Sequence, residues 1–229
     1  MLVKEWMSKE VITVDANDSM QDAIKRLKEH NIRMLPVTKK GKLVGIVTDR
    51  DLKRASASDA TMLEIHELLY ILNNLKVEEI MTKNPITVPF DYTIEETAEV
   101  LLKNKISGVP VVGYKGQIEG TITQTDIFKA ILSLTGLSKR GISFAFKLED
   151  RPGSIKQVAD IIRKYDGRMA SILGSYDGVA EGYREVYIRA YNIARARLPQ
   201  LKEELKEKAF LLYMVDHRQN SREIYQEEL

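Results

Sequence analysis

The apolar residues of this chain change their rhythm several times, and the changes predict its elements. Val11-Ile12-Thr13-Val14 is short and β-branched, so it predicts a strand. Ser19 then caps a stretch whose Met20, Ala23, Ile24 and Leu27 share one face of a helix. Leu35-Pro36-Val37 and Leu43 to Val47 predict two strands joined by the turn Lys39-Lys40-Gly41-Lys42, and Asp49 to Ala55 opens a second helix. Residues 3–7 predict a short lead-in helix, with Val77 to Met81 as its counterpart.

The pattern β-α-β-β-α is then written again. Gly45-Ile46-Val47-Thr48-Asp49-Arg50-Asp51 returns as Gly120-Thr121-Ile122-Thr123-Gln124-Thr125-Asp126, and Pro36-Val37 returns as Pro110-Val111. Met7 matches Met81, Thr13-Val14 matches Thr87-Val88, Leu27 matches Leu101 and Ile32 matches Ile106, in one register until an extra residue near Tyr114. A shared register over about fifty residues is a tandem repeat. One copy is too small to be comfortable alone, so the two are expected to cover each other as a pseudo-twofold pair. Between them, Met62, Ile65, Leu68, Leu69 and Leu72 predict a connecting helix over residues 57–75 that packs on its own domain or a second subunit.

After Leu132 the repeat stops. Residues 136–141, with two glycines and two cations, read as a linker. Ile142 to Leu148 predicts a strand, Asp150-Arg151-Pro152-Gly153 a turn into a helix starting at Pro152, and Ile155, Val158, Ala159 and Ile162 that helix's apolar face. Strands over Met169–Tyr176 and Glu185–Tyr191, a helix over Leu198–Lys208 and a strand over Ala209–Val215 complete a β-α-β-β-α-β order, the ferredoxin-like split arrangement. The fold class expected is α+β. Its parts are residues 1–76 and 77–135 for the two repeats, 142–216 for the last domain, and 217–229 as a frayed polar tail.

Composition narrows the function. In 229 residues, 44% are apolar and 30% charged with a formal net charge of +2, a balance that argues against a nucleic-acid coat. The chain has no cysteine, which removes disulfides, thiolate zinc sites and cysteine nucleophiles. No apolar run approaches a membrane span and the N-terminal residues lack a signal-peptide core, so a cytoplasmic protein is expected. His30, His66 and His217 are far apart without metal-ligand spacing, and each reads as a surface or helix residue. No Walker loop, dinucleotide fingerprint or nucleophile elbow occurs, so no enzyme is expected. Arg195, Arg197, Lys202, Lys206 and Lys208 alternate with Glu203, Glu204 and Glu207 as a solvated face.

The repeated marks are the Pro-Val strand, the Gly-apolar-apolar-Thr-x-x-Asp ending and the openings Met7-Ser8 and Met81-Thr82. They resemble the CBS domain family, which occurs as tandem pairs called Bateman modules; the resemblance covers roughly residues 3–135. It implies an adenine nucleotide or adenosyl ligand (AMP, ADP, ATP or S-adenosylmethionine) in clefts between the repeats. The first cleft is assigned Ile12, Thr13, Arg33, Met34, Pro36, Thr48, Arg50 and Asp51. The second is assigned Ile86, Thr87, Ile106, Ser107, Gly108, Pro110, Thr123, Thr125 and Asp126. A carboxylate at a helix start can accept from both ribose hydroxyls, and Thr hydroxyls with helix-start amides suit a phosphate. Thr48 with Asp51 and Thr123 with Asp126 are also plausible capping pairs for the helices they open. Capping does not explain Arg50, a bidentate phosphate donor. The first cleft, with Arg33 and Arg50, suits several phosphates; the second, with Ser107 and Thr125, suits a nucleoside or monophosphate unless Lys103, Lys105 or Lys129 turns inward.

The last domain, with its Asp-Arg-Pro-Gly turn, resembles an ACT domain over about residues 141–216. That resemblance implies an amino-acid effector at a domain interface, reached through Asp150, Arg151 and Gly153. The chain departs from the pattern where Leu148 and Met169 replace polar side chains, so dimerisation alone is an equal alternative, and Asp150 could instead cap the helix. A CBS pair followed by an ACT domain resembles acetoin-utilisation-type regulators. The expectation is a homodimeric or larger ligand-sensing regulator without a catalytic cofactor. The other class left open is a constitutive assembly adaptor with empty clefts.

Overall fold

A computed structural model describes residues 1–59 and 74–225 of the chain. Two compact units emerge, Met1–Ala130 and Ile131–Leu229. The connecting segment with Met62, Ile65, Leu68, Leu69 and Leu72 lies outside the described residues, as does His66.

In the first unit the helix α1 (Val3–Trp6) precedes β1 (Val14–Asp15), α2 (Met20–Glu29), β2 (Met34–Lys39), β3 (Lys42–Thr48) and α3 (Asp49–Asp59). The second repeat runs α4 (Val77–Ile80), β4 (Thr82–Lys83), β5 (Val88–Pro89), α5 (Ile94–Asn104), β6 (Gly108–Val112), β7 (Ile118–Thr123) and α6 (Gln124–Leu134). Ser19 caps α2 as its position predicts, accepting from Asp22 N at 3.1 Å while Asp22 bonds back to Ser19 N. Thr93 and Glu96 do the same for α5. The strand expected over Val11–Val14 is only Val14–Asp15, which pairs parallel with β2.

The expected pairing of repeats takes a crossed form. Val77 N donates to Asp18 O, and Val77 lies in the core of the first repeat with Met20, Leu35 and Val47. Val3 N donates to Tyr92 O, and Val3 lies in the core of the second with Ile94, Val109 and Ile122. The lead-in segments are therefore exchanged: residues 1–8 complete the second repeat, and 75–83 complete the first. β4 pairs with β3 through Gly45↔Lys83, and Ser8 bridges Thr121 by two backbone bonds of 2.9 and 3.0 Å. Both repeated glycines have a local cause. A Cβ on Gly45 would stand 2.4 Å from Met81 Sδ, and one on Gly120 2.6 Å from Met7 Sδ.

The second unit contains β8 (Ile142–Glu149), α7 (Ser154–Lys164), β9 (Arg168–Ser175), β10 (Tyr183–Tyr191), α8 (Leu198–Lys208), β11 (Phe210–Asp216) and β12 (Ser221–Ile224). Its antiparallel sheet has the order β12-β11-β8-β10-β9. Phe144, Phe146 and Leu148, alternating along β8, meet Val158, Ile161 and Ile162 of α7 and Leu201 and Leu205 of α8 in one core. Period-two and period-3.6 stripes thus close on each other from both sides.

Three expectations fail here. The stretch 136–141 is not a linker between units but part of the second: Leu137–Lys139 forms a short helical turn, Gly136 packs against Ala170 and buried Gly141 against Ala190. The tail is not frayed through its described length, because β12 pairs with β11 and Tyr225 packs against the core. Arg195 and Arg197 are not a solvated face. Arg195 forks onto buried Asp216, which also accepts from Arg218 N, and Arg197 lies over the Tyr165 ring and reaches Asp166.

Candidate functional site

Strand direction gathers the predicted residues of each repeat at one end of its sheet. In the first repeat β1 runs parallel to β2 and β3 antiparallel, so Ile12-Thr13, Arg33-Met34 and Thr48 share that end. Met34 pairs with Thr48 and Pro36 with Ile46, while Asp49 N donates to Arg33 O at 3.1 Å. In the second repeat Gly108 pairs with Thr123, Pro110 with Thr121, and Gln124 N donates to Ser107 O at 2.9 Å. Ile86-Thr87 leads into β5 beside β6, and Ile106 folds back through its N–H to Leu101 O. Ser107, Thr125 and Ile86 are exposed, and Gly108 and Pro110 are buried.

The repeated Thr and Asp bond to each other in both copies, and in the first they close a full capping box. Thr48 N and Thr48 Oγ1 donate to Asp51 Oδ2 at 3.0 and 2.6 Å, and Asp51 N donates back to Thr48 Oγ1 at 3.3 Å. Thr123 donates to Asp126 Oδ2 at 3.0 and 2.7 Å through the same two groups. Capping consumes one carboxylate oxygen of each Asp, the donor function of each Thr hydroxyl and, at Thr48, the acceptor function as well. The second oxygen differs between copies: Asp126 Oδ1 lies 3.4 Å from Lys129 Nζ, whereas Asp51 Oδ1 is engaged by no described residue. Arg33 and Arg50 are exposed, and neither guanidinium bonds to a described residue. The first end carries these two exposed arginines. The second also holds a cation, Lys129, placed by the i, i+3 spacing of α6.

In the second unit, Gly153, at φ 88°, is the N-cap and the helix starts at Ser154, not Pro152. Asp150 therefore does not cap it; its carboxylate lies 3.5 Å from Arg184 Nε and 3.4 Å from Tyr176 Oη. Arg151 donates to Glu149 at 2.7 Å and to Gln157 at 3.3 Å. His217 is half-buried, not a plain surface residue, with Nε2 3.0 Å from Ser143 Oγ; burial and the nearby Arg189 and Arg222 hold its pKa below the ordinary value. His30 is exposed. Among the described residues no group of His, Asp and Glu is arranged to hold a metal ion.

The doubled Thr-x-x-Asp box at matching sheet ends agrees with a family comparison: the CBS domain profile matches residues 3–58 and 77–133. A CBS domain-containing protein of Dictyostelium discoideum is 33% identical over 135 residues, 58% of this chain and 93% of the relative. The chain belongs to the CBS domain family. Another relative of this CBS protein is the L-aspartate semialdehyde sulfurtransferase of Methanocaldococcus jannaschii, 39% identical over 127 residues, 55% of this chain but 22% of that enzyme. A solved CBS pair, that of protein MJ0100 in complex with 5′-methylthioadenosine and S-adenosyl-L-methionine, is 38% identical, with a TM-score of 0.49 over 57% of this chain and 95% of that one. Among the described residues no helix is long and apolar enough to cross a membrane.

Proposed function

We propose that this CBS protein is a regulator that senses an adenine nucleotide or adenosyl compound in its CBS pair and passes occupancy to a C-terminal domain of the ACT type. One observation carries the reading. Asp51 spends a single carboxylate oxygen on its capping box, and the sheet end that carries it also carries the exposed Arg33 and Arg50. A ribose diol can donate to the other oxygen while the guanidiniums take phosphate, each charge-assisted bond contributing about 1.5–3 kcal/mol. At the second end Lys129 shares Asp126, so a ligand there meets less open positive charge and needs fewer phosphates.

The order β8-α7-β9-β10-α8-β11 supports the ACT reading, and with it the likeness to acetoin-utilisation-type regulators. Leu148 is buried in the core and Met169 packs against it, which supports association over amino-acid capture at the Asp150–Gly153 loop. Phe128, Ile131 and Leu132 expose 61%, 46% and 51% of their surface along α6, which supports assembly with a second copy. Ligand-linked stability would couple the pair to its reader through differential affinity for two arrangements.

Calorimetric titration with AMP, ADP, ATP and S-adenosylmethionine tests the reading. Asp51→Ala and Arg50→Gln should weaken a phosphorylated ligand about tenfold or more, near 1.4 kcal/mol. Asp126→Ala should act on the other site. Wild-type protein that takes up none of the four, with no thermal shift, supports the assembly-adaptor alternative instead.

A further inference from the structure

The helices α7 and α8 pack on one face of the β12-β11-β8-β10-β9 sheet, and the residues that alternate with its core point to the other face. Register sets five of these in one row across all five strands: Leu173, Tyr187, Ala145, Tyr213 and Ile224. Two residues along β10 to either side of the row stand Glu185 and Arg189, on the same face. We propose that this face packs on the same face of a second copy of the chain, about a twofold axis that runs along the row.

Apolar character is the first support. None of the five residues is charged, and the ends of the row stay open, Leu173 at 36% and Ile224 at 76% exposure. Between them the Tyr187 and Tyr213 rings, with centroids 6.5 Å apart, flank the fully buried Ala145. An apolar row that reaches both edges of a sheet on the face away from its helices marks an interaction surface.

Charge names the occupant and fixes its direction. Arg189 is half-buried, and burial holds its pKa below the ordinary value. Its Nε donates to Thr135 O at 2.7 Å, while Nη1 is buried without a partner. No carboxylate among the described residues pairs with it. A guanidinium drawn out of water without a carboxylate is costly. Glu185 accepts from Tyr187 Oη and makes no ion pair among the described residues. A twofold axis along the row reverses the strands of the second sheet. The apolar row then meets itself, and Glu185 of each copy lies opposite Arg189 of the other. An axis parallel to the strands would keep every residue at its own level and never bring the two charges together. Sheets stacked this way stand about 10 Å apart with their strands within about 30° of alignment. The surface involves neither the nucleotide site nor the exposed stripe of α6, and it stands whichever ligand the CBS pair takes.

Sedimentation velocity of the full chain carrying Leu132→Asp, which removes the α6 stripe, tests the assignment: this parent should still self-associate. Glu185→Arg and Arg189→Glu should each weaken that association at least about tenfold, because each sets like charges face to face. An equimolar mixture of the two variants should pair again to within about threefold of the parent, since each charge is then opposed by its complement. Circular dichroism and thermal melting check that the variants fold. The chain has no cysteine, so Ile224→Cys gives a second reading that leaves the charges alone and decides the matter if Arg189→Glu does not fold. A short bismaleimide should join two copies through Cys at 224, which faces its own counterpart, and should not join copies carrying Lys156→Cys on the exposed side of α7. A monomeric parent overturns the proposal. So does an association unmoved by Glu185→Arg, a mixture no better paired than either variant alone, or cross-linking at 224 no faster than at 156.

Discussion

The crossed packing of the repeats makes a prediction with an internal control. Gly45 and Gly120 hold equivalent positions, yet an alanine methyl meets different obstacles at each. At Gly45 the methyl would stand 2.4 Å from Met81 Sδ and 3.0 Å from Thr82 O. At Gly120 it would stand 2.6 Å from Met7 Sδ and 2.7 Å from Ser8 O. A thioether can swing away; a backbone carbonyl paired to Thr121 N at 3.0 Å cannot without breaking the bridge. Overpacking of this kind costs about 1–3 kcal/mol, with Gly45→Ala near the lower end and Gly120→Ala at or above the upper. Met81→Ala alone should cost about 2–3 kcal/mol for lost burial, but combined with Gly45→Ala it should give back about 1–2 kcal/mol of the sum. Met7→Ala should not rescue Gly120→Ala. Urea unfolding of the full chain, monitored by Trp6 fluorescence in the first unit, measures all six proteins through their midpoints and slopes. Additive double mutants at Gly45, within about 0.5 kcal/mol, would refute the crossed contact as the reason for the glycine.

Other outcomes follow from the second unit. Arg195→Met leaves Asp216, 1% exposed, without its charge partner and should cost about 3 kcal/mol, while Asp216→Asn in the same background should restore part of it in denaturant melts. His217 has a depressed pKa because burial and two arginines oppose its proton. The unfolded chain protonates at about 6.5 while the fold resists, so stability is intact above that value and is lost as the pH falls through the folded pKa. His217→Gln should flatten the melting temperature between about pH 7 and pH 5; an unchanged slope would assign the acid loss elsewhere. Gly141→Ala places a methyl 2.0 Å from Ala190 O and should destabilise the second unit by about 3 kcal/mol, measured as faster amide exchange along β10.

Much of this was legible in the sequence because local chemistry repeats. Ser19 announces a cap, and Thr48 with Asp51 announces another, and both caps form. Alternation over Ile142–Leu148 became β8, and its facing helices followed from Val158 and Ile162. The crossing was hidden because Val3 and Val77 have the same character; a swap between like residues leaves no mark in hydropathy. Arg195 read as solvated because its partner, Asp216, lies far along the chain on a strand whose pleat turns that carboxylate inward. β12 was missed since Ser221-Arg222-Glu223 is polar, as suits an exposed edge strand. At the candidate site the residue types were readable, but the division of labour between the two oxygens of Asp51 is a matter of rotamer, and composition says nothing of it.

The exchange of lead-in segments also bears on how such a chain is born. Until Val77 has left the ribosome, the first half lacks the plug for its own interior, and it holds a plug made for a half not yet synthesised. Two separate copies could satisfy each other by the same trade, but only at the mercy of dilution. Joining them in one chain makes the local concentration of each plug effectively millimolar, and turns a bimolecular encounter into a folding step.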